Sequence, residues 1–388
     1  MCRRRERGYH AGSGDRCHHG AVRSVKIQAA VSRHAARPPE LETLEIEDEP
    51  RSGEILVRIV ASGICHTDID VHERDRSPKP IVLGHEGAGI VERVGPGVTR
   101  LVAGDRVILT VNFCGECPSC RANAHTYCYE CMPRNFGGRR PDGSTPLSQP
   151  DGAPINAHFF GQSSFATYAL ADEKSAVKVP ADLPLEIMGP LACGVITGTG
   201  AVINSLAVRP GQSIAIFGSG AVGLSAVMAA KLVGATRIIA VDVVPARLEL
   251  ARELGATDAI NGSTHNPVEA IKELTRYGVD LSFNTTRSPA VFTQALESLA
   301  PRGVTGFVGA PLGSWAPDMS QLLSGGRTVR GILGGDASPG FFIPLLFEYY
   351  RQGRLPFDRL IRFYPFAEIA RAIADCEHGT TIKAVLRM

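Results

Sequence analysis

The chain has 388 residues, of which 44% are hydrophobic and 21% charged, with 42 glycines. That fits about two globular domains, each able to bury a core. The formal net charge of +2 implies no polyanionic partner such as nucleic acid, and no apolar run reaches the roughly eighteen residues a membrane span needs.

The chain opens on MCRRRERGYHAGSGDRCHHGAVRS, which is basic but lacks a following apolar core and so is not a secretory signal. Glu6 and Asp15 interrupt any targeting pattern. Residues 1–25 read as a disordered extension, or as sequence upstream of a natural start near Val25. Cys17, His18 and His19 could touch a metal, although a solvated tail is the simpler reading. Residues 26–110 look like short strands. EILVRIVASG (54–63), IVERVGPGV (90–98) and AGDRVIL (103–109) alternate or run β-branched between Gly/Pro turns, predicting a small barrel-like β domain. Residues 133–164 are punctuated by Gly137, Gly138, Pro141, Gly143, Pro146, Pro150, Gly152 and Pro154, and read as loop.

The pattern changes near residue 198. In residues 213–256, IAIF is a short buried strand, and AVGLSAVMAAKLV keeps Leu224, Val227, Met228 and Leu232 at helical spacing. Gly234 stops that helix, and RIIAVD is a second strand. VDLSFN (279–284) and GVTGFVGAP (303–311) are later strands between helical segments, and the second of them could also pair as an edge strand across subunits. Alternating strand and helix predicts a doubly wound parallel sheet over residues 198–325. The chain ends with helical FFIPLLFEYYRQG (341–353) and AEIARAIADCEHG (367–379), then a strand in TIKAVLRM.

Gly218, Gly220 and Gly223 form a GxGxxG that follows a predicted strand and opens a predicted helix. In that context the first glycine makes a tight turn, the second admits a pyrophosphate and the third lets helix sit on strand. The helix N-terminus offers free N–H groups. Asp242 lies 19 residues past Gly223, at the end of the second strand. A carboxylate there accepts bonds from ribose hydroxyls and repels an added phosphate, favouring NAD over NADP. Arg247 is placed along the ribose edge.

Ten cysteines occur. Without a secretory signal a cytoplasmic location with reduced thiols is expected, so clustered cysteines read as metal ligands. Cys114, Cys117, Cys120 and Cys128 have gaps of two, two and seven residues. Cysteines so close in a short loop close disulfides poorly. The bacterial iron–sulfur run has a last gap of three followed by proline, which this stretch lacks. Four thiolates on a tight loop suit a closed structural zinc site, with Cys131 an alternative to Cys128 as fourth ligand. Cys65, His85 and Cys193 are far apart in sequence. A thiolate, an imidazole and a thiolate would leave zinc one open position, the ligand set of catalytic zinc in alcohol dehydrogenases. Spacing alone does not bring them together.

GICHTD, GHEGAGIVERVG, CGECPSCRANAHTYC and GSGAVG, in this order, resemble the zinc-containing medium-chain alcohol dehydrogenases from about residue 26 to the C-terminus. RNFGGRRPDGSTPL, FFGQSSFATYAL, RQGRLPFDRLIRFYPF and TIKAVLRM look most like the aryl (benzyl) alcohol dehydrogenases, with allylic terpene (geraniol-type) alcohol dehydrogenases as near relatives. The resemblance implies a GroES-like β-barrel catalytic domain at 26–197 and 326–388, with a structural zinc lobe at 112–132, and a Rossmann NAD-binding domain at 198–325. It implies two zinc ions per subunit. One is held by Cys65, His85 and Cys193, with Glu86 behind it as a transient ligand, and one by Cys114, Cys117, Cys120 and Cys128. By the same resemblance His66 approaches the pyrophosphate, Thr67 hydrogen-bonds the substrate oxygen, and Asp68 orients His85. Thr197 and Val222 support the nicotinamide, and Lys383 faces the pyrophosphate. Many relatives end a proton relay on a histidine five residues after the first cysteine ligand. Here that place is Asp70, with His72 two further on, so Asp70, His72 or solvent completes the relay.

The expected activity is reversible oxidation of a primary aromatic or allylic alcohol to the aldehyde, with hydride transfer to NAD, in a homodimer or homotetramer. Phe159, Phe160, Ala310 and Leu333 are candidate pocket residues, each also suited to a core. The alternatives are a glutathione-dependent formaldehyde dehydrogenase or other zinc alcohol dehydrogenase, against which the aryl-type tail counts, and a non-catalytic NAD- or zinc-binding protein. Near-neutral charge and the absence of interleaved basic and aromatic residues count against a nucleic-acid module.

Overall fold

The computed structural model describes residues 23–388 apart from positions 36 and 75. Cys17, His18 and His19 lie outside the described residues. Of segment 1–25 only 23–25 are described, and Ser24 and Val25 already belong to the first strand.

The first part of the chain gives β1 (Ser24–Ser32), β2 (Glu40–Glu47), β3 (Glu54–Gly63), α1 (His66–Glu73), β4 (Ile81–Val82), β5 (Glu86–Val94) and β6 (Arg106–Leu109). Two short helices follow in the cysteine-rich lobe, α2 (Pro118–Arg121) and α3 (Cys131–Phe136). The glycine- and proline-rich stretch beyond α3 contributes the two-residue strands β7 (Leu147–Ser148) and β8 (Pro154–Ile155) and a 3-10 turn at Phe159–Gly161. After it come β9 (Tyr168–Asp172), β10 (Ala176–Lys178) and α4 (Gly194–Gly200). β3 buries all but two of its ten residues because it is central, pairing with β5, β9 and, at its end, the C-terminal strand.

The second part alternates strand and helix: β11 (Ser213–Phe217), α5 (Ala221–Leu232), β12 (Arg237–Asp242), α6 (Pro245–Leu254), β13 (Asp258–Asn261), α7 (Pro267–Thr275), β14 (Val279–Asn284), α8 (Pro289–Glu297), β15 (Leu299–Phe307), α9 (Met319–Gly325) and β16 (Thr328–Gly331). The chain then returns through α10 (Pro339–Arg351), β17 (Ile361–Pro365), α11 (Ile369–Glu377) and β18 (Lys383–Arg387).

Three sheets form among the described residues. A five-stranded sheet runs β4-β1-β2-β7-β8, and a seven-stranded one runs β10-β6-β5-β3-β18-β17 with β9 also on β3. The third is all parallel, in the order β13-β12-β11-β14-β15-β16. Its order reverses between β11 and β14, and in doubly wound sheets ligands bind in the crevice at that switch point. β11 is buried in four of its five positions, as expected of a parallel strand covered on both faces.

Two expectations change. The parallel sheet continues past residue 325, because β16 (TVRG) pairs with β15. Its four residues are mostly exposed and show no apolar run, which is why the sequence carried no strand signal there. For the same reason GVTGFVGAP does not form an edge: β15 is paired on both sides, and β16 takes the edge.

Candidate active site

Cys65 lies just past β3, with extended backbone, and caps α1. Its N–H donates to Asp68 Oδ2 at 2.9 Å. Asp68 Oδ1 accepts from Gly84 N at 3.1 Å and lies 2.9 Å from His85 Nδ1. One buried carboxylate therefore ties the start of α1 to the imidazole and leaves Nε2 as that ring's remaining donor atom. His85 Nε2 is buried and has no hydrogen-bond partner. Glu86 follows as the first residue of β5 and pairs with Gly63. A Cβ on Gly63 would stand 2.0 Å from Glu86 Oε2, so a side chain there would displace the buried carboxylate. Cys193 arrives on the turn Gly189–Ala192, which packs so tightly that a Cβ on Gly189 would lie 2.3 Å from the Glu86 carbonyl oxygen. Gln162, which sequence reasoning passed over, clamps the same strand: its amide accepts from Gly87 N and donates to the His85 carbonyl, both at 3.1 Å.

Cys65, His85, Glu86 and Cys193 thus converge, with donor atoms within 4.8 Å of one another. The two sulfurs are 3.8 Å apart. The hydrogen bond from Cys193, reinforced by His85, pulls the Cys65 thiol well below its ordinary range, while Cys193 is pushed well above by the same pairing and by burial. Burial disfavours a charged His85, but the Asp68 carboxylate and the Cys65 sulfur together raise the imidazole well above its ordinary value. A thiolate, a second thiol and an unpartnered imidazole nitrogen at one point form a donor set that fits zinc.

The other predicted site residues fall around this point. Thr67 is half-buried with Oγ1 3.7 Å from Cys65 Sγ, and His66 is exposed. α4, which carries Thr197, packs directly on α5, since a Cβ on Gly198 would stand 2.1 Å from the Val222 carbonyl. Lys383 requires a correction. Its ammonium is buried and donates to both Glu86 oxygens, at 2.8 and 3.0 Å, and to the Ile64 carbonyl at 3.0 Å. β18 lies beside the end of β3, so the short reach is to Glu86 and no donor remains turned toward a pyrophosphate. Burial pushes the Glu86 carboxyl up against the pull of Lys383.

Neither relay candidate has a free carboxylate or an open ring. Asp70 is held by Arg74 at 2.7 Å, Arg76 at 2.9 Å and Arg287 at 2.5 Å. His72 is buried, with Nδ1 2.6 Å from Ser32 Oγ.

An aromatic wall adjoins the imidazole. Phe160 stacks on His85 with centroids 4.4 Å apart and planes 26° apart, and Phe159 meets it edge-on at 5.7 Å. Phe136, not foreseen, packs against both phenylalanines. Phe159 is fully buried, hence core. Ser163 Oγ accepts from His158 N and Phe159 N and donates to the Val82 carbonyl, bracing a loop in which His158, Phe160 and Ser163 all have positive φ. Ala310 is exposed and Leu333 half-exposed.

The glycine-rich turn sits beside the donor cluster: a Cβ on Gly194, next to Cys193, would lie 3.7 Å from both Ala221 Cβ and Lys383 Nζ. Gly218 has φ +92°, and a Cβ on Gly223 would stand 1.8 Å from the Gly218 carbonyl. Gly220 faces open space, and α5 starts without a side-chain cap. That is a cradle suited to a pyrophosphate. Asp242 accepts from Ser219 N at 2.5 Å and Val244 N at 2.9 Å. Arg247 Nη2 donates to the Gly379 carbonyl at 3.2 Å, and its buried Nε has no partner.

A second cluster occupies the lobe. The sulfurs of Cys114, Cys117, Cys120 and Cys128 lie within 4.8 Å of one another. Backbone N–H groups of Glu116 and Cys117 point at Cys114, those of Cys120 and Tyr129 at Cys117, and that of Cys114 at Cys128. Such donors suit thiolates, and the Tyr129 N–H above all lowers the Cys117 thiol to about 6. Cys131 stands outside the cluster, its sulfur 3.7 Å from Asn135 Nδ2.

A barrel-like domain joined to a dinucleotide fold, with one open and one closed thiolate-rich cluster, defines the zinc-dependent dehydrogenases as a class. The chain matches the family described as zinc-binding dehydrogenase over residues 221–346 and that described as alcohol dehydrogenase GroES-like domain over residues 51–181. It is 46% identical over 372 residues to geraniol dehydrogenase of Castellaniella defragrans, covering 93% of this chain and 98% of that one. A crystal structure of an alcohol dehydrogenase zinc-binding domain protein from Burkholderia ambifaria matches with TM-score 0.92 and 53% identity, over 94% of this chain and 100% of the other. The crystal structure of benzyl alcohol dehydrogenase from Acinetobacter calcoaceticus matches with TM-score 0.90 and 46% identity, over 94% and 99%. The chain belongs to the zinc-containing medium-chain alcohol dehydrogenases, with a GroES-like domain and a Rossmann domain.

Proposed function

We propose that this protein reversibly oxidises primary aromatic or allylic alcohols to aldehydes with NAD. The observation that carries the proposal is the meeting of Cys65 Sγ, His85 Nε2 and Cys193 Sγ beside the glycine-rich turn. Zinc held by these three residues would act as a Lewis acid toward the alcohol oxygen, and the nicotinamide would accept the hydride. Asp68 holds His85 in the orientation that presents Nε2. The Thr67 hydroxyl accepts the substrate proton and passes it on. Asp70 is occupied by three guanidinium groups and His72 is buried against Ser32, so solvent completes the relay. Glu86, tied to Lys383, is the reserve donor of the cluster. A second zinc is assigned to Cys114, Cys117, Cys120 and Cys128.

The substrate class is supported by the flat Phe160 ring against His85 and by the named activities of the two relatives, benzyl and geraniol dehydrogenase. The Asp242 carboxylate at the end of β12 supports NAD. The exposed edge strand β16 suits pairing with a second copy in a dimer. Reduced-nicotinamide absorbance should be followed with benzyl, geranyl and short aliphatic alcohols and with hydroxymethylglutathione, with NAD and NADP in parallel. Benzyl or geranyl alcohol with NAD should give the highest kcat/KM. Preference for hydroxymethylglutathione, or a flat trace with every alcohol, would refute the proposal.

A further inference from the structure

We propose that Asp70 and Arg287 form a latch between the two domains that sets how fast the dinucleotide is released. Asp70 lies on α1, the helix that Cys65 caps and that carries Thr67 and Asp68. Arg287 lies just past β14, at the ligand-binding edge of the parallel sheet. The two are 217 positions apart, yet Arg287 Nη1 donates to Asp70 Oδ1 at 2.5 Å.

Both ends of this contact are braced. Arg74 also binds Asp70 Oδ1, and Arg76 binds Oδ2, so the carboxylate is the shared anion of three cations and is 15% exposed. Arg287 Nε donates to the Ala310 carbonyl at 3.2 Å, and the Arg287 carbonyl accepts from Leu312 N at 2.9 Å. This holds the guanidinium between the loops that follow β14 and β15. Two residues earlier, Thr285 Oγ1 donates to the Gly218 carbonyl at 3.1 Å. A short run of bonds therefore joins the helix of the donor cluster to the glycine-rich turn. Because the partners sit on different domains, a hinge motion that widens the cleft separates them, and nucleotide release needs such an opening. Asp70 and Arg287 are positioning residues that bias the closed arrangement.

The latch rests on the proposal that the cleft takes a nicotinamide dinucleotide. NADH release is measured by stopped-flow fluorescence on the zinc-loaded protein for Asp70→Asn, Arg287→Gln, the double variant and Arg287→Lys. Each neutral single variant should release NADH about three- to tenfold faster and raise KM for NAD without an equal fall in kcat, as expected for loss of one partly exposed ion pair in a network. The double variant should be no faster than either single one, Arg287→Lys should recover part of the loss, and added salt should quicken release in the unaltered protein. Glu253→Gln, which breaks a second and more exposed ion pair between the domains, to Arg359, should leave release unchanged. Additive single effects, unaltered release, or the same acceleration from Glu253→Gln would overturn the latch while leaving the cofactor reading intact. Failure of the unaltered protein to bind NADH would sink both.

Discussion

Asp68 Oδ1 lies 2.9 Å from His85 Nδ1, and both side chains are almost fully buried. The same carboxylate also takes the N–H groups of Cys65 and Gly84, so it holds two of the three proposed zinc ligands in register. Asp68→Ala should weaken zinc at that cluster by about 10- to 100-fold, the usual cost of losing a partner behind a metal-bound histidine. Zinc retained during chelator competition reports it. The lobe zinc serves as the internal standard, and retention of about two zinc ions by the variant would contradict this role.

Thr67 has the one hydroxyl placed beside the Cys65 sulfur on α1. Thr67→Ala should lower kcat by about 10²-fold, typical of a lost proton-transfer group, and Thr67→Ser should keep much of the rate. Steady-state turnover of benzyl alcohol tests both. Near-normal rates for the alanine variant would remove Thr67 from the proton path.

Cys128 and Cys131 were indistinguishable as fourth lobe ligand by spacing, but only Cys128 reaches the cluster. Cys128→Ser should cost the lobe its metal and lower the melting temperature, because structural zinc contributes directly to folding. Cys131→Ser should retain it. The lobe also docks through Tyr127, which donates to Asp336 and accepts from Leu333 N, so metal loss should expose residues 333–338 to limited proteolysis. Equal zinc content in the two variants would contradict the assignment.

His158 is buried with an unpartnered Nδ1, and burial lowers its pKa. The folded protein keeps it neutral, whereas the unfolded chain protonates it near the ordinary value of about 6.5. Below that pH the unfolded state binds the extra proton, so stability falls with pH until the folded-state pKa is passed. The contribution is at most about 1.4 kcal/mol per pH unit. His158→Asn, chosen because asparagine tolerates the positive φ of this position, should flatten this part of the pH profile. Unfolding by denaturant across that range, variant against parent, decides it, and parallel profiles would exclude His158 as a source of the slope.

The features legible in the sequence were the local ones. RIIAVD and VDLSFN coincide with β12 and β14, since a short β-branched run between helices is its own signal. The glycine-rich turn was equally plain, because its three glycines fall within six residues between a predicted strand and a predicted helix, although the close neighbour of Gly218 is the distant Thr285. β16 was invisible, as four mostly exposed residues carry no pattern. Lys383 shows a different limit. Its place on a terminal strand could be anticipated, but its long stem allows several targets, and only the antiparallel pairing of β18 with β3 aims it at Glu86.

By itself the sequence determined two domains, a dinucleotide turn and a four-thiolate lobe, because each depends on periodicity or on spacing within one loop. Tertiary structure alone decided that Cys65, His85 and Cys193 share a point, that Lys383 serves Glu86, and that Arg287 reaches Asp70. Those meetings follow from sheet pairing and domain contact and join residues up to 297 positions apart, and no local free-energy preference encodes the direction in which a distant side chain will finally point.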